Sequence, residues 1–268
     1  MSLDLVPSVQ KILDEVKDST GKAVDFIEND NLATYAKVKV ARKSMPAHII
    51  FYRSRHDELI NHLIAHECGH ILRIFSVPKE ERLIPMSDQD TKTRVVHELA
   101  GDLSRLSSFL STRDILKMVD MWQQGIITQL TSYPPDLMIE KWIHGSYPEL
   151  RPYQKKSLMN QHSDAIKVFS PQIKKITPSK IYEPNIIMNI TFFSMLGSIL
   201  KLNLIKPFKS LPYLKKGNEL ASFTKKDYND SYEGDIAMTN YWASFLGLNE
   251  WFKWTNFEDM PEGYLESI

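Results

Sequence analysis

Apolar and polar residues alternate with two different periods near the start of the chain. In residues 8–18 the apolar positions recur every three to four residues, which predicts an amphipathic helix that ends near Gly21. In residues 34–40 lysines alternate with apolar residues, and residues 47–52 form a mostly apolar run. Both segments have the pattern of β-strands. We therefore expect a helix followed by a small sheet.

The rest of the chain has mainly the helical period. The apolar positions 59, 60, 63, 64, 71 and 72 predict a helix from about residue 54 to Phe75, and Pro78 closes it. The same reasoning predicts further helices at 87–110, 113–130, 136–144 and 152–168. Pro134 and Pro135 should break the chain between two of them, because proline removes a backbone donor and clashes with the preceding turn.

These elements predict an α+β fold. It has a small antiparallel sheet near residues 33–53, two helices after it and a largely helical C-terminal half. The proline pair suggests two units, residues 1–131 and residues 132–268, and nothing in the sequence gives the second unit a role.

Composition narrows the classes of partner. The 268 residues carry a formal net charge of zero, which argues against general nucleic-acid binding, although a local basic patch remains compatible with it. Cys68 is the single cysteine, so a reducing compartment fits. The N-terminus does not resemble a signal peptide, and the uncharged run 185–200 is too short and too polar for a membrane span. We expect a cytoplasmic protein with no membrane partner, in which residues 185–200 form a buried helix.

The neutral total hides two charged regions. Lysine dominates residues 151–226, whereas residues 227–268 contain nine acids and one lysine. Either the two regions pack together or each is solvated; a binding surface is the alternative.

The candidate chemistry lies in the predicted helix 54–75, which contains His66, Glu67 and His70 in the pattern H-E-x-x-H. Residues four apart share a helix face, so both imidazoles can reach one metal ion. Glu67 lies about 100° round the helix from His66, at the rim of that face. This is the arrangement of zincins, in which two histidines hold zinc and the glutamate is the general base. Two surface histidines are the alternative interpretation.

A catalytic zinc site needs a third protein ligand. Arg73 and Ser76 stand where an extended H-E-x-x-H-x-x-G-x-x-H motif needs Gly and His, which excludes that route. Glu98, on the next predicted helix, is the best candidate for the third ligand. Asp102 lies one turn later on the same face, where it suits a carboxylate that orients a ligand histidine. A salt-bridged surface pair is the alternative, and Glu80, Glu81 and His97 are rival ligands.

Four other features of the sequence concern the candidate site. Cys68 points away from the metal face and should be a buried structural thiol. Gly69 is costly inside a helix, which suggests that another part of the backbone approaches closely. His62 either joins the cleft or is polar helix surface. Four residues are candidates for stabilising an oxyanion, and the sequence does not select among them: Tyr133, His144, Tyr147 and Tyr153.

H-E-C-G-H followed by E-x-x-x-D resembles the gluzincins, and A-H-E-C-G-H-I-L-R with E-L-A-G-D is most similar to the ImmA/IrrE-type metallopeptidases. The resemblance covers about residues 30–115. It implies a zincin-like fold in which Glu98 is the third ligand and Asp102 the carboxylate behind a histidine. Asp102 stands where that family has Asn, and Gly101 where it has Ala. The family is often joined to DNA-binding domains and can cut repressors, but no such domain is visible here.

We therefore expect a zinc-dependent peptidase that acts on a peptide or protein substrate with Glu67 as general base. Three alternatives remain: a metal-stabilised regulatory or interaction module without turnover, a toxin or antidefence protein, and a hydrolase that acts on other bonds. An extended peptide is expected to pair with a sheet edge near residues 47–52.

Overall fold

The computed structural model describes residues 3–108 and 110–262. Its α-helices are α1 (Pro7–Thr20), α2 (Ile60–Phe75), α3 (Gln89–Leu106), α4 (Thr112–Ser146), α5 (Arg151–Lys167), α6 (Pro171–Ile176), α7 (Ser179–Leu200), α8 (Leu214–Asp227) and α9 (Tyr232–Leu246). Its strands are β1 (Ala23–Glu28), β2 (Ala36–Lys39), β3 (Ala47–Tyr52), β4 (Leu83–Met86) and β5 (Lys253–Asn256). The α+β prediction is confirmed at this level.

The larger sheet has the order β1-β3-β2. Strand β3 pairs with β2 antiparallel, as predicted, but it pairs with β1 in parallel. The prediction of an antiparallel sheet is therefore wrong for one of its two pairings. Strand β1 was not predicted, because only Val24 and Phe26 are half-buried in it and its other side chains are exposed. The strands β4 and β5, from distant parts of the chain, pair antiparallel in a second sheet.

The long helix α4 contributes to the two largest hydrophobic clusters in the described residues. One contains α1, α2 and the β1-β3-β2 sheet, and the other contains α3, α7, α8 and α9. Side chains of α4 enter both, since Ile126 and Leu130 belong to the helical core and Ile139 and Ile143 to the core around α2. The predicted boundary between residues 131 and 132 falls inside α4. The helix thus joins the two halves of the chain.

The predicted break at Pro134 and Pro135 is wrong, because both prolines lie inside α4. A proline in a helix interior costs about 3 kcal/mol or more, since it removes one hydrogen bond and crowds the preceding turn. Both prolines are buried, and the flanking Leu130 and Leu137 are fully buried. Burial of the apolar residues on both sides offsets the cost of the prolines and keeps the helix continuous.

Residues 185–200 form most of α7, where Ile186, Ile190 and Leu196 are fully buried. The prediction of a buried core helix is confirmed. In the described part of the chain, no helix is both long enough and apolar enough to cross a membrane.

The acidic C-terminal region pairs with the first half of the protein. Asp230 and Asp235 bind Arg73, Glu250 binds Arg94 and Glu258 binds Arg82. Among residues 3–108 and 110–262, no ion pair joins a lysine of 151–226 to an acid of the C-terminal region. The two regions do contact each other, since Phe223 stacks on Tyr241 and Trp242 Nε1 donates to Thr224 Oγ1. Packing, one of the two expectations, therefore occurs without ion pairs in the described residues, outside which residues 263–268 lie.

His48 in β3 predicts a loss of stability in mild acid. It is fully buried, its Nδ1 accepts the Ala41 N–H at 3.0 Å, and its Nε2 lies 3.0 Å from Thr20 Oγ1. Burial, and then the charge of Lys22, lower the pKa of His48 from 6.5 to about 4. As the pH falls from 6.5 to 4, His48 therefore binds a proton in the unfolded chain but stays neutral in the folded chain. The lost free energy of unfolding is about 3 kcal/mol.

The measurement is urea unfolding of the wild type and of His48→Asn from pH 7 to pH 4. Asn keeps an acceptor near the Ala41 N–H but does not titrate, so the pH dependence of its unfolding free energy should be shallower by this amount. Identical pH profiles would exclude His48 as the group responsible.

Candidate metal centre

The helix α2 places His66 and His70 as the motif predicts. Both lie on one face, one turn apart, and their Nε2 atoms are 3.3 Å from each other. His70 is 4% exposed, and the side chain of His66 is 18% exposed. The rest of the helix is buried on nearly all sides, and Cys68, fully buried, is the structural thiol that was predicted. The two imidazoles therefore face a narrow opening.

The helix α4 supplies the carboxylate that faces these imidazoles. Asp136 Oδ1 lies 3.1 Å from His70 Nε2 and 3.3 Å from His66 Nε2. The three donor atoms form one of two groups in the described residues that could hold a metal ion; the other group is His62, His66 and Glu140. Asp136 lies directly after the proline pair, so its position depends on the continuity of α4.

Close packing of α2 on α4 makes this meeting possible. A Cβ atom at Gly69 would lie 2.7 Å from Cγ2 of Ile139, which is far inside normal contact distance. The approach predicted at Gly69 thus exists, but a side chain makes it rather than a backbone. Ile139 lies between Asp136 and Glu140 in α4, so the contact at Gly69 sets how near both carboxylates come to α2.

Glu140 lies behind the histidines. It is fully buried, and its Oε1 accepts a hydrogen bond from His66 Nδ1 at 2.8 Å. Its carboxylate also lies 3.0 Å from His62 Nε2 and accepts a 2.6 Å hydrogen bond from Gln154. The bond to Glu140 uses Nδ1 of His66 and leaves Nε2, on the side of Asp136, as the nitrogen available to a metal ion. His62 joins this network and is fully buried, so the alternative of polar helix surface is wrong.

Glu67 occupies the rim of the metal face and is buried. Burial raises the pKa of its carboxyl above 4.5, against the opposing effect of His66 and His70. The backbone of Val38 in β2 lies beside this carboxylate and lowers its pKa. Glu67 is therefore held between the imidazoles and the edge of the sheet, and it belongs to neither of the two metal-compatible groups in the described residues.

The electrostatics of the group favour a cation. Burial alone lowers the pKa of His66, but the carboxylates of Asp136 and Glu140 outweigh burial and raise it well above 6.5. Burial raises the pKa of Asp136 and of Glu140, but the neighbouring histidines outweigh it and hold both below their usual range. The same negative charges that stabilise an imidazolium would stabilise a metal ion between neutral imidazoles.

The donor atoms also have the spacing that zinc requires. A tetrahedral zinc ion with bonds of about 2.0–2.1 Å holds its ligand atoms about 3.3–3.4 Å apart. The three distances among His66 Nε2, His70 Nε2 and Asp136 Oδ1 are 3.1–3.3 Å. Asp136 Oδ1 is buried and makes no hydrogen bond of acceptable geometry. A buried carboxylate oxygen that has no hydrogen-bond partner and lies 3.1–3.3 Å from two imidazole nitrogens fits a metal ligand.

The structure does not bring the predicted residues Glu98 and Asp102 to this group. Glu98 accepts hydrogen bonds from Lys180 Nζ at 2.8 Å and from Trp251 Nε1 at 3.2 Å. Asp102 accepts from Arg105 and from the backbone N–H of Ser179. The reason is that α3 packs against α4 and the turn at Trp251. In the described residues the carboxylates within 3.3 Å of a ring nitrogen of His66 or His70 are those of Asp136 and Glu140.

The structure also shows the surroundings of the rival ligands and of two of the four oxyanion candidates. Neither metal-compatible group in the described residues contains Glu80, Glu81 or His97. Tyr133 donates its hydroxyl hydrogen to Asn189 Oδ1, and His144 Nδ1 lies 3.0 Å from Gln154 Oε1. These two side chains are therefore occupied by structural partners.

Comparison with protein families, with curated proteins and with solved structures finds no match to the chain. The resemblance to the ImmA/IrrE-type metallopeptidases therefore stays an expectation from the motifs, and the site is interpreted from its own geometry.

The Gly69 contact predicts that Gly69→Ala weakens the site. Overpacking costs about 1–3 kcal/mol of unfolding free energy, offset by about 1 kcal/mol because Ala favours the helix. If α2 and α4 move apart to admit the methyl group, Asp136 moves away from the histidines and zinc affinity falls. Zinc titration and urea unfolding measure the two effects.

The matched control is Gly101→Ala in α3, where an added Cβ meets no atom within 4 Å. It should stabilise the protein by up to about 1 kcal/mol and leave zinc affinity unchanged. The double substitution Gly69→Ala with Ile139→Ala should restore zinc affinity in part. If Gly69→Ala behaves like Gly101→Ala, the helix contact does not set the site.

Proposed function

We propose that the protein is a zinc-dependent peptidase in which His66, His70 and Asp136 hold the metal and Glu67 is the general base. The observation that carries the proposal is the group of three donor atoms at zinc-ligand spacing, with the buried Glu67 at its rim and Glu140 behind His66. Zinc bound there would polarise the scissile carbonyl and lower the pKa of a water to about 7.

The protein's own residues have distinct tasks in this proposal. Glu67 takes a proton from the attacking water and passes it to the leaving amine. Its burial supports this, because a carboxyl with a raised pKa is better matched to proton transfer near neutral pH. Glu140 fixes the tautomer and ring orientation of His66 through the 2.8 Å bond to Nδ1.

The number and type of ligands favour catalysis over a structural metal site. Structural zinc sites are usually closed by four protein ligands rich in cysteine. The candidate group in the described residues has three protein ligands, and Cys68 is not among them. Three ligands leave a position for water or for a substrate carbonyl.

The sheet offers a place for an extended substrate. Strand β3 was expected to flank the cleft, but it lies in the centre of the sheet, and β1 and β2 are its edge strands. The backbone of Val38 in β2 lies beside Glu67, so the β2 edge is the one next to the proposed base. We propose that a peptide adds to β2 through main-chain hydrogen bonds.

The proposal is tested by metal analysis and by cleavage of unfolded proteins. The full chain should bind one zinc ion, cleave unfolded protein, lose the activity to a chelator and regain it when zinc is restored. Stoichiometric zinc with no cleavage of any protein in a broad proteome would instead favour a regulatory module without turnover.

A further inference from the structure

A partly open pocket lies directly beside the proposed metal ligands. His70 and Pro135, the residue before Asp136, form part of its wall. The remaining wall is mostly apolar and includes Ile74, Ile84, Ile236 and Trp254. The pocket therefore shares His70 with the proposed metal site.

The charged residues and two of the aromatic residues around this pocket are already paired within the protein. Arg73 makes two 2.6 Å hydrogen bonds to Asp235, which also accepts the hydroxyl hydrogen of Tyr228. Trp254 Nε1 donates to Asn240 Oδ1, and the Tyr232 hydroxyl donates to the Leu83 carbonyl. A charged side chain that entered would lose its hydration without gaining a partner, whereas an apolar side chain would gain burial.

The size of the pocket limits the side chain. The centres of water molecules can occupy about 50 Å³ in it. This exceeds the space that a single water needs, so the pocket can admit a small side chain.

We propose that this pocket binds the aliphatic side chain of a residue next to the scissile bond. The substrates would then be peptides with Leu, Ile or a similar residue at that position. The inference rests on the proposed function, since His70 must hold the metal for the pocket to lie beside the reacting bond. It also gives residues 132–268 a role, because α9 and β5 supply Ile236 and Trp254.

The test is the binding of leucine hydroxamate and glycine hydroxamate to the zinc-loaded full chain. The hydroxamate group binds zinc in both compounds, so the difference in affinity reports the side-chain pocket and needs no turnover. Leucine hydroxamate should bind at least about tenfold more tightly, as expected for an apolar pocket. Equal affinities, or no binding of either compound to the zinc-loaded protein, would overturn the proposal.

Two substitutions at Ile236 locate the effect. Ile236→Trp should fill the pocket and remove the preference for the leucine compound, whereas Ile236→Ala should enlarge it and increase the affinity for phenylalanine hydroxamate by at least about tenfold. The matched control is Ala237→Trp, because Ala237 is exposed and does not line the pocket. A preference that is unchanged in both Ile236 variants would assign it to another surface.

The outcome is separable from that of the proposed function. If the protein binds leucine hydroxamate preferentially but cleaves no peptide, the pocket stands and the peptidase proposal fails. If it cleaves peptides but the residues that flank the cuts are unrelated to the Ile236 variants, the peptidase proposal stands and the pocket proposal fails.

Discussion

Glu67→Gln should leave zinc bound and the fold intact, and it should reduce peptide cleavage by at least about 10²–10⁴-fold, the usual contribution of general acid–base catalysis. Gln has nearly the same size as Glu and can still accept a hydrogen bond, but it cannot take a proton. Because Glu67 is not in the group of donor atoms, its loss should not release the metal.

The measurement compares wild type and Glu67→Gln at equal zinc occupancy on a substrate that the wild type cleaves. Glu58→Gln is the matched control, because Glu58 precedes the same helix but is exposed and paired with Lys156. It should cleave at the wild-type rate. If Glu67→Gln also cleaves at that rate, the activity belongs to another site or to a contaminant.

Helical periodicity was sufficient to predict the half of the candidate site that lies in one helix. The relation of His66, Glu67 and His70 follows from α-helix geometry, which does not depend on what packs against α2. Both limits of α1, the end of α2 and the start of α3 were also close to prediction for this reason, since each helix carries a local apolar stripe, whereas α2 begins later and α3 ends earlier than predicted.

The other half of the candidate site depends on which helix packs against α2. Both α3 and α4 carry two acids four residues apart, Glu98 with Asp102 and Asp136 with Glu140. The spacing places each pair on one helix face, so it could not distinguish between them. The close contact between Gly69 and Ile139 brings α4 to the site. The residues that meet there are far apart in the sequence, as are His66 and Glu140, which are separated by 74 positions.

A local rule also concealed the second pair of acids. Two consecutive prolines usually end a helix, so the segment after them seemed to begin a new element. The signal that could have revealed Asp136 and Glu140 is the acid pair in the run Asp136 to Ile143, where every other residue except Lys141 is apolar and where Glu140 is fully buried. A buried carboxylate needs a partner, and the histidines of α2 are that partner.

Asp136→Asn should therefore weaken zinc binding, by more than the about 10–100-fold that is usual for a residue behind a ligand. Asn keeps the shape of the side chain but removes the negative charge, and a neutral amide oxygen is a poorer ligand for zinc than a carboxylate. Glu98→Gln, the same kind of change at the predicted ligand, should leave the zinc affinity unchanged, since Glu98 binds Lys180 and Trp251. Competition with a chromophoric chelator measures both affinities, and urea unfolding verifies that each variant is folded. The reverse result, loss of zinc in Glu98→Gln and retention in Asp136→Asn, would restore Glu98 as the third ligand and remove α4 from the metal centre.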